Sequence, residues 1–87
     1  MSKSATPTIY EQLVQTTRIY LGPAAERFID RQVKNHLNKE PEDITSADLD
    51  QLIDWIRISV SFLTEDNQLI EEYVYQLSQL AAKKEGR

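Results

Sequence analysis

Residues 45–63 read TSADLDQLIDWIRISVSFL, and the apolar positions of this stretch decide the fold. One stripe recurs at helical spacing and consists of Leu49, Leu52, Ile53, Ile56, Val60 and Leu63. A second stripe, on nearly the opposite side, consists of Trp55, Ile58 and Phe62. A helix that is apolar over most of its circumference is typical of the central position in a helical bundle.

The start of this helix is marked clearly. Thr45 is a good N-cap residue, and Asp48 stands at the third helical position, where its carboxylate can complete a capping box. Ile44 and Leu49 can pack together across the first turn. These signals predict a helix over 46–63.

Upstream of this stretch, the sequence predicts two helices joined by a tight corner. Thr8 followed by Glu11 fits a capping box and opens a helix over 9–21. Gly22-Pro23 then combines a left-handed stop with a residue suited to the first helical position, so we expect a second helix over 23–37.

Downstream, Thr64 is expected to cap a helix over 65–83, with acidic residues in its first turn. Residues 38–43 are predicted to form a polar loop. The patterns therefore predict an all-α, compact four-helix domain with helices over about 9–21, 23–37, 46–63 and 65–83.

Length and composition limit both the architecture and the chemistry. The 87 residues suit one domain, 1–87, and we expect disordered ends at 1–7 and 83–87. With no Cys, two Gly and one His, the chain lacks the residues for a disulfide scaffold, a thiolate zinc site or a glycine-rich phosphate loop. It shows no membrane span and no signal peptide, so we expect a cytoplasmic protein.

Candidate catalytic and metal-binding residues are few. His36 has no evident nucleophile or substrate path beside it, which favours a structural role at a helix boundary. Asp48, Asp50 and Asp54 lack the glycine and the terminal glutamate of a calcium loop, which favours a solvated helix face. We therefore assign no catalytic residue, no cofactor and no metal, and we expect a protein that is not an enzyme.

A basic ridge is predicted on the second helix, where Arg27, Arg31 and Lys34 recur at i, i+4 and i+7. The ridge belongs to a positive half: residues 1–39 carry a net charge of +3 and the remainder −7. It could face an anion such as nucleic acid, a protein partner, or only solvent. The interleaved acidic residues and the pI of about 4.9 argue against nucleic acid.

The second stripe of the third helix has two interpretations. The first, which the pattern favours, is that Trp55, Ile58 and Phe62 cover the first helix inside the core. The second is that they form a surface for a partner or for a homodimer, which Ile19 and Tyr75 could widen.

The segment YLGPAAERFIDRQ at residues 20–32 resembles known sequences. It is similar to small uncharacterised helical proteins of cyanobacteria. More distantly, it resembles the carboxyl-terminal helical module of bacterial signalling proteins, including nucleotide cyclases and Ser/Thr kinases. The resemblance spans about residues 16–80 and is carried by the Gly22-Pro23 corner and the Arg27/Arg31 pattern. It implies a regulatory or scaffolding role and no catalytic residues.

Together these observations predict a non-enzymatic helical module that binds a protein partner or itself. The expected partner-binding residues are Trp55, Ile58, Phe62, Arg27, Arg31 and Lys34. The alternative is a weak nucleic-acid-binding protein that uses the basic ridge of the second helix.

Overall fold

A computed structural model describes residues 8–82. The α-helices are α1 (Ile9–Leu21), α2 (Ala25–His36), α3 (Ser46–Ser61) and α4 (Asn67–Ala82), and single 3-10 turns occupy Gly22–Ala24 and Pro41–Asp43. No β-strand occurs within the described range, and the all-α class is confirmed. The ends expected to be disordered, 1–7 and 83–87, lie outside the described residues, as does the last residue predicted for the fourth helix.

The predicted count of separate helices needs a correction. No loop separates α1 from α2, because the 3-10 turn at Gly22–Ala24 joins them directly between Ile9 and His36. Loops therefore separate three helical segments in the described chain, and the first segment is bent at Gly22.

Capping boxes start α1 and α3, as the sequence predicts. The Thr8 hydroxyl accepts the Glu11 N–H at 3.1 Å, and the Glu11 carboxylate accepts the Thr8 N–H at 3.1 Å. The same exchange joins Thr45 and Asp48 at 3.2 and 3.0 Å. Each box satisfies backbone donors that have no partner inside the helix.

The corner between α1 and α2 depends on a glycine conformation. Gly22 has a φ of +66°, which L side chains rarely adopt, although no atom lies within 4 Å of where a Cβ would stand. The Ala25 N–H donates to the Gly22 carbonyl in a 3-10 turn. The prediction that the second helix starts at Pro23 is therefore wrong by two residues. At its other end α2 stops at His36, and Asn38 takes a φ of +56°.

The predicted end of the third helix, at Leu63, is also wrong. The N–H groups of Phe62 and Leu63 donate to the carbonyls of Ser59 and Val60, so the last turn tightens and α3 ends at Ser61. Leu63 was expected in the buried stripe, but it lies beyond the helix and is 61% exposed.

The cap of α4 is Asp66 rather than Thr64. The Asp66 carboxylate accepts the Leu69 N–H at 3.1 Å, and α4 starts at Asn67. Thr64 instead accepts the Asp66 N–H at 3.1 Å, which orders the turn that precedes the helix.

The core lies where α1 packs on α2 and α4, and where α3 packs most extensively on α4. The contact between α2 and α3 is more limited. The buried cluster consists of Leu13, Val14, Ile29, Val33, Ile44, Leu49, Leu52, Ile53, Ile56, Val60, Ile70, Tyr73, Leu77 and Leu80.

A buried polar contact ties α1 to α4. The Thr17 hydroxyl donates to the Leu13 carbonyl at 2.7 Å and lies 2.6 Å from the Tyr73 hydroxyl. Because Thr17 has a single proton, the Tyr73 hydroxyl is the donor in the second bond. Burial raises the pKa of Tyr73 well above its usual value.

Candidate interaction surface

The second apolar stripe of α3 lies on the surface. Trp55 is 48% exposed, Ile58 49% and Phe62 82%. The interpretation that these residues cover the first helix is wrong, because α1 packs against α2 and α4 and leaves this side of α3 uncovered. Ile19 and Tyr75 are exposed as well, but they belong to α1 and α4 and not to this row.

Two side-chain contacts run between α2 and α3 beside the exposed stripe. The His36 and Trp55 rings stack with their centroids 4.3 Å apart and their planes within 9°. One turn further along, the Gln32 amide nitrogen donates to the Ser59 hydroxyl at 3.0 Å. An aromatic stack and an amide–hydroxyl bond therefore join α2 to α3 beside the exposed stripe.

An open apolar groove continues this line at the other end of α3. Its walls come from the end of α1, the 3-10 turn, the first turns of α2 and the second residue after α3. The lining residues are Leu21, Ala24, Arg27, Phe28, Arg31 and Leu63. We call the surface that comprises the His36–Trp55 stack, the Gln32–Ser59 contact, this groove and the exposed side chains of Ile58 and Phe62 the α2–α3 seam.

The structure divides the predicted basic ridge into two parts. Lys34 forms an i, i+4 ion pair with Asp30 at 3.4 Å. Arg27 and Arg31 make no ion pair with any residue between 8 and 82, and both line the groove. The two arginines are therefore the positive charges available at the seam, whereas Lys34 is already partnered.

The acidic residues of α2 line a neighbouring depression. Glu26 and Asp30 border it together with Tyr10 of α1 and with Arg27, which also lines the groove. Burial raises the pKa of Tyr10, and the negative charges of Asp30 and Glu26 raise it further. The charge of Arg27 is therefore close to acidic residues of α2, whereas Arg31 lines the groove and not this depression.

Gln32 was not singled out from the sequence. It is 5% exposed, and its carbonyl oxygen is buried without a hydrogen-bond partner among the described residues. Gln32 lies next to Val33 and three residues after Ile29, and these two residues are fully buried. That spacing is the signal that could have identified Gln32 as buried.

The remaining candidate residues do not form a reactive site. His36 is exposed and its ring is stacked on Trp55. Asp48 accepts a hydrogen bond from Lys39 at 2.6 Å, and this bond, with those from Thr45, holds the pKa of Asp48 below its usual value. No group of three or more His, Asp or Glu residues in the part described could hold a metal ion.

None of the helices over residues 8–82 combines the length and apolar character needed to cross a bilayer.

Comparison with known protein families, with curated proteins and with solved structures finds no match for this chain. The resemblance of residues 20–32 to a signalling-protein module therefore stays a prediction.

Proposed function

We propose that this chain is a non-enzymatic helical interaction module that docks a protein partner, or a second copy of itself, on the α2–α3 seam. One observation carries the proposal. Trp55, Ile58 and Phe62 are exposed side by side in a domain whose other inward helix faces are closed into one core. A contiguous apolar patch of this kind marks interaction sites on small soluble domains.

The residue types support the same assignment. Tryptophan and arginine dominate the binding energy of protein interfaces, and the seam places Trp55 on the same face as Arg27 and Arg31. The stack of Trp55 on His36 limits the conformations of the indole before a partner arrives, which lowers the entropy lost on binding. The resemblance of residues 20–32 extends the proposal to a regulatory or scaffolding role.

Affinity capture with matched variants tests the proposal. The full chain, Trp55→Ala and Phe62→Glu are used as baits in a lysate of the native cells, and Ile19→Ala serves as an exposed control outside the seam. Light scattering on each purified variant reports self-association. We expect one bound species, or a dimer, that is retained by the full chain and Ile19→Ala and lost by both seam variants. Equal retention by all four, with monomers throughout, would contradict the proposal.

A second candidate function, nucleic-acid binding, is favoured by one observation: Arg27 and Arg31 have no ion-pair partner within residues 8–82. A low-salt gel shift with single-stranded and duplex DNA and RNA tests it. Binding that disappears in Arg27→Ala/Arg31→Ala would support this function, and the absence of any shift would exclude it.

A further inference from the structure

We infer that the partner that fits the α2–α3 seam is an acidic amphipathic helix. This inference rests on the proposed function and names the chemistry of its partner: apolar side chains on one helix face, with glutamate or aspartate on one flank. The spacing of the apolar residues and the position of two arginines without ion-pair partners among residues 8–82 both support it.

The spacing of the exposed residues matches one face of a helix. Trp55 and Phe62 are seven residues apart on α3, which is about 10 Å along the axis. A partner helix with apolar residues at i, i+4 and i+7 presents them over the same length. Its last apolar side chain would reach the groove between Phe28 and Leu63, which α2 and α3 leave open.

The positive charge at the groove indicates on which flank of the partner helix the carboxylates should lie. Arg27 and Arg31 lie one helical turn apart on the groove edge, and no described carboxylate neutralises either of them. Carboxylates one turn apart on a partner helix have the matching spacing. Glu26 and Asp30 do not line the groove itself, although Arg27 borders both the groove and the depression that they line.

Two other candidate partners, a second copy of the chain and a nucleic acid, fit the α2–α3 seam less well. A symmetric pair of copies that meet seam to seam would bring both Arg27/Arg31 rows into one interface, where like charges repel. A nucleic-acid backbone offers anions but no apolar face for Trp55, Ile58 and Phe62, and the whole chain carries a net charge of −4.

Selection from a displayed peptide library tests the inference with the full chain as target. Each peptide is a helix of about 18 residues with leucine fixed at i, i+4 and i+7. The flanking positions carry Glu, Gln or Lys in equal proportion, and selection is performed at about 0.15 M salt. Global electrostatics favours Lys, because the protein is negatively charged overall. Enrichment of Glu would therefore report local recognition by the two arginines.

The selected peptide is then measured against purified variants. We expect Trp55→Ala to weaken binding by about tenfold or more, as for a central interface residue. We expect Arg27→Gln/Arg31→Gln to weaken it by about threefold to tenfold and to abolish the preference for Glu over Gln. Arg18→Gln, which removes an exposed arginine that does not line the groove, should change the affinity by less than about twofold.

The outcomes separate this inference from the proposed function. Peptides that depend on Trp55 but carry Gln or Lys would overturn the acidic helix and leave the interaction module standing. Dimerisation through Phe62, or DNA or RNA binding lost in the arginine variant, would also overturn it. Failure to select any peptide whose binding depends on Trp55 would overturn the inference. Together with negative results in the capture and light-scattering experiments, that failure would overturn the proposed function as well.

Discussion

Buried polar side chains at two helix contacts have different hydrogen-bonding states. At the α1–α4 contact, Thr17 and Tyr73 satisfy each other and the Leu13 carbonyl. At the α2–α3 seam, Gln32 satisfies only its amide nitrogen and leaves its oxygen without a partner. A fully paired buried group stabilises a fold, whereas a half-paired one destabilises it. The two sites should therefore respond in opposite ways to apolar substitution.

At the first site, Thr17→Val should destabilise the fold more than Tyr73→Phe. Valine leaves the buried Tyr73 hydroxyl without an acceptor, which costs about 1–3 kcal/mol. Tyr73→Phe leaves Thr17 still bonded to Leu13, so we expect a cost of about 1 kcal/mol. Urea unfolding measures both, and the double variant should cost less than the sum. Additive costs would mean that the two hydroxyls do not interact.

At the second site, Gln32→Met should stabilise the fold. The substitution removes a buried carbonyl oxygen that has no partner, and it keeps an unbranched side chain of similar length. We expect the free energy of unfolding to rise by about 1 kcal/mol. Val33→Ala, at the fully buried neighbouring position, is the matched control and should lower it. A destabilised Gln32→Met variant would show that the amide is fully hydrogen-bonded in solution.

The Lys39–Asp48 pair predicts a pH dependence of stability. The pKa of Asp48 is lowered in the folded chain, so the ionised carboxylate stabilises the fold. This stabilisation is fully present above the usual pKa of 3.8 and is lost as the pH falls through the folded pKa. Asp48→Asn should therefore cost about 0.5 kcal/mol at neutral pH, since the Lys39 side chain is partly exposed. Below the folded pKa of Asp48 the two proteins should have similar stability, as urea titrations at several acidic pH values would show. A constant difference across that range would contradict this assignment.

At the scale of the helices, the sequence predicted correctly the two starts that carry a capping box. The capping boxes at Thr8 and Thr45 are local, because each involves residues three apart in the chain. The end of α3 is less visible, since apolar periodicity continues through Leu63 while the backbone already tightens at Phe62. Periodicity shows which side chains share a face, but the hydrogen bonds that end a helix leave no such pattern.

The misassigned cap of α4 gives a prediction at this scale. Asp66→Ala should cost about 1 kcal/mol, because Asp66 accepts the backbone N–H of Leu69 in the first turn of the helix. Thr64→Ala should cost less, since Thr64 orders only the preceding turn. Thermal or urea unfolding of the two variants compares them directly. A larger cost for Thr64→Ala would restore the sequence-based assignment.

The candidate surface shows what periodicity cannot decide. The sequence identified Trp55, Ile58 and Phe62 as one face, and the structure places them together. Whether a neighbouring helix covers that face depends on how α1 packs in space, and no local pattern encodes this. Similarly, the spacing of Arg27, Arg31 and Lys34 predicted one ridge, but only the folded chain shows that Lys34 pairs with Asp30.

At the scale of the whole molecule, packing is uneven around the core. α4 contacts both α1 and α3 extensively, whereas the contact between α2 and α3 is more limited and includes an aromatic stack and an amide–hydroxyl bond. This more limited contact is bordered by exposed apolar residues and by two arginines without ion-pair partners in the described region. The proposed docking site is therefore a consequence of how the helices are arranged.

The most direct test of this account is acrylamide quenching of the single tryptophan in the full chain. With Trp55 48% exposed and one ring face stacked on His36, we predict emission close to that of hydrated indole and substantial quenching. His36→Ala should increase the quenching further by uncovering the second ring face. Blue-shifted emission that acrylamide barely quenches would place Trp55 in the core, and it would contradict an open α2–α3 seam.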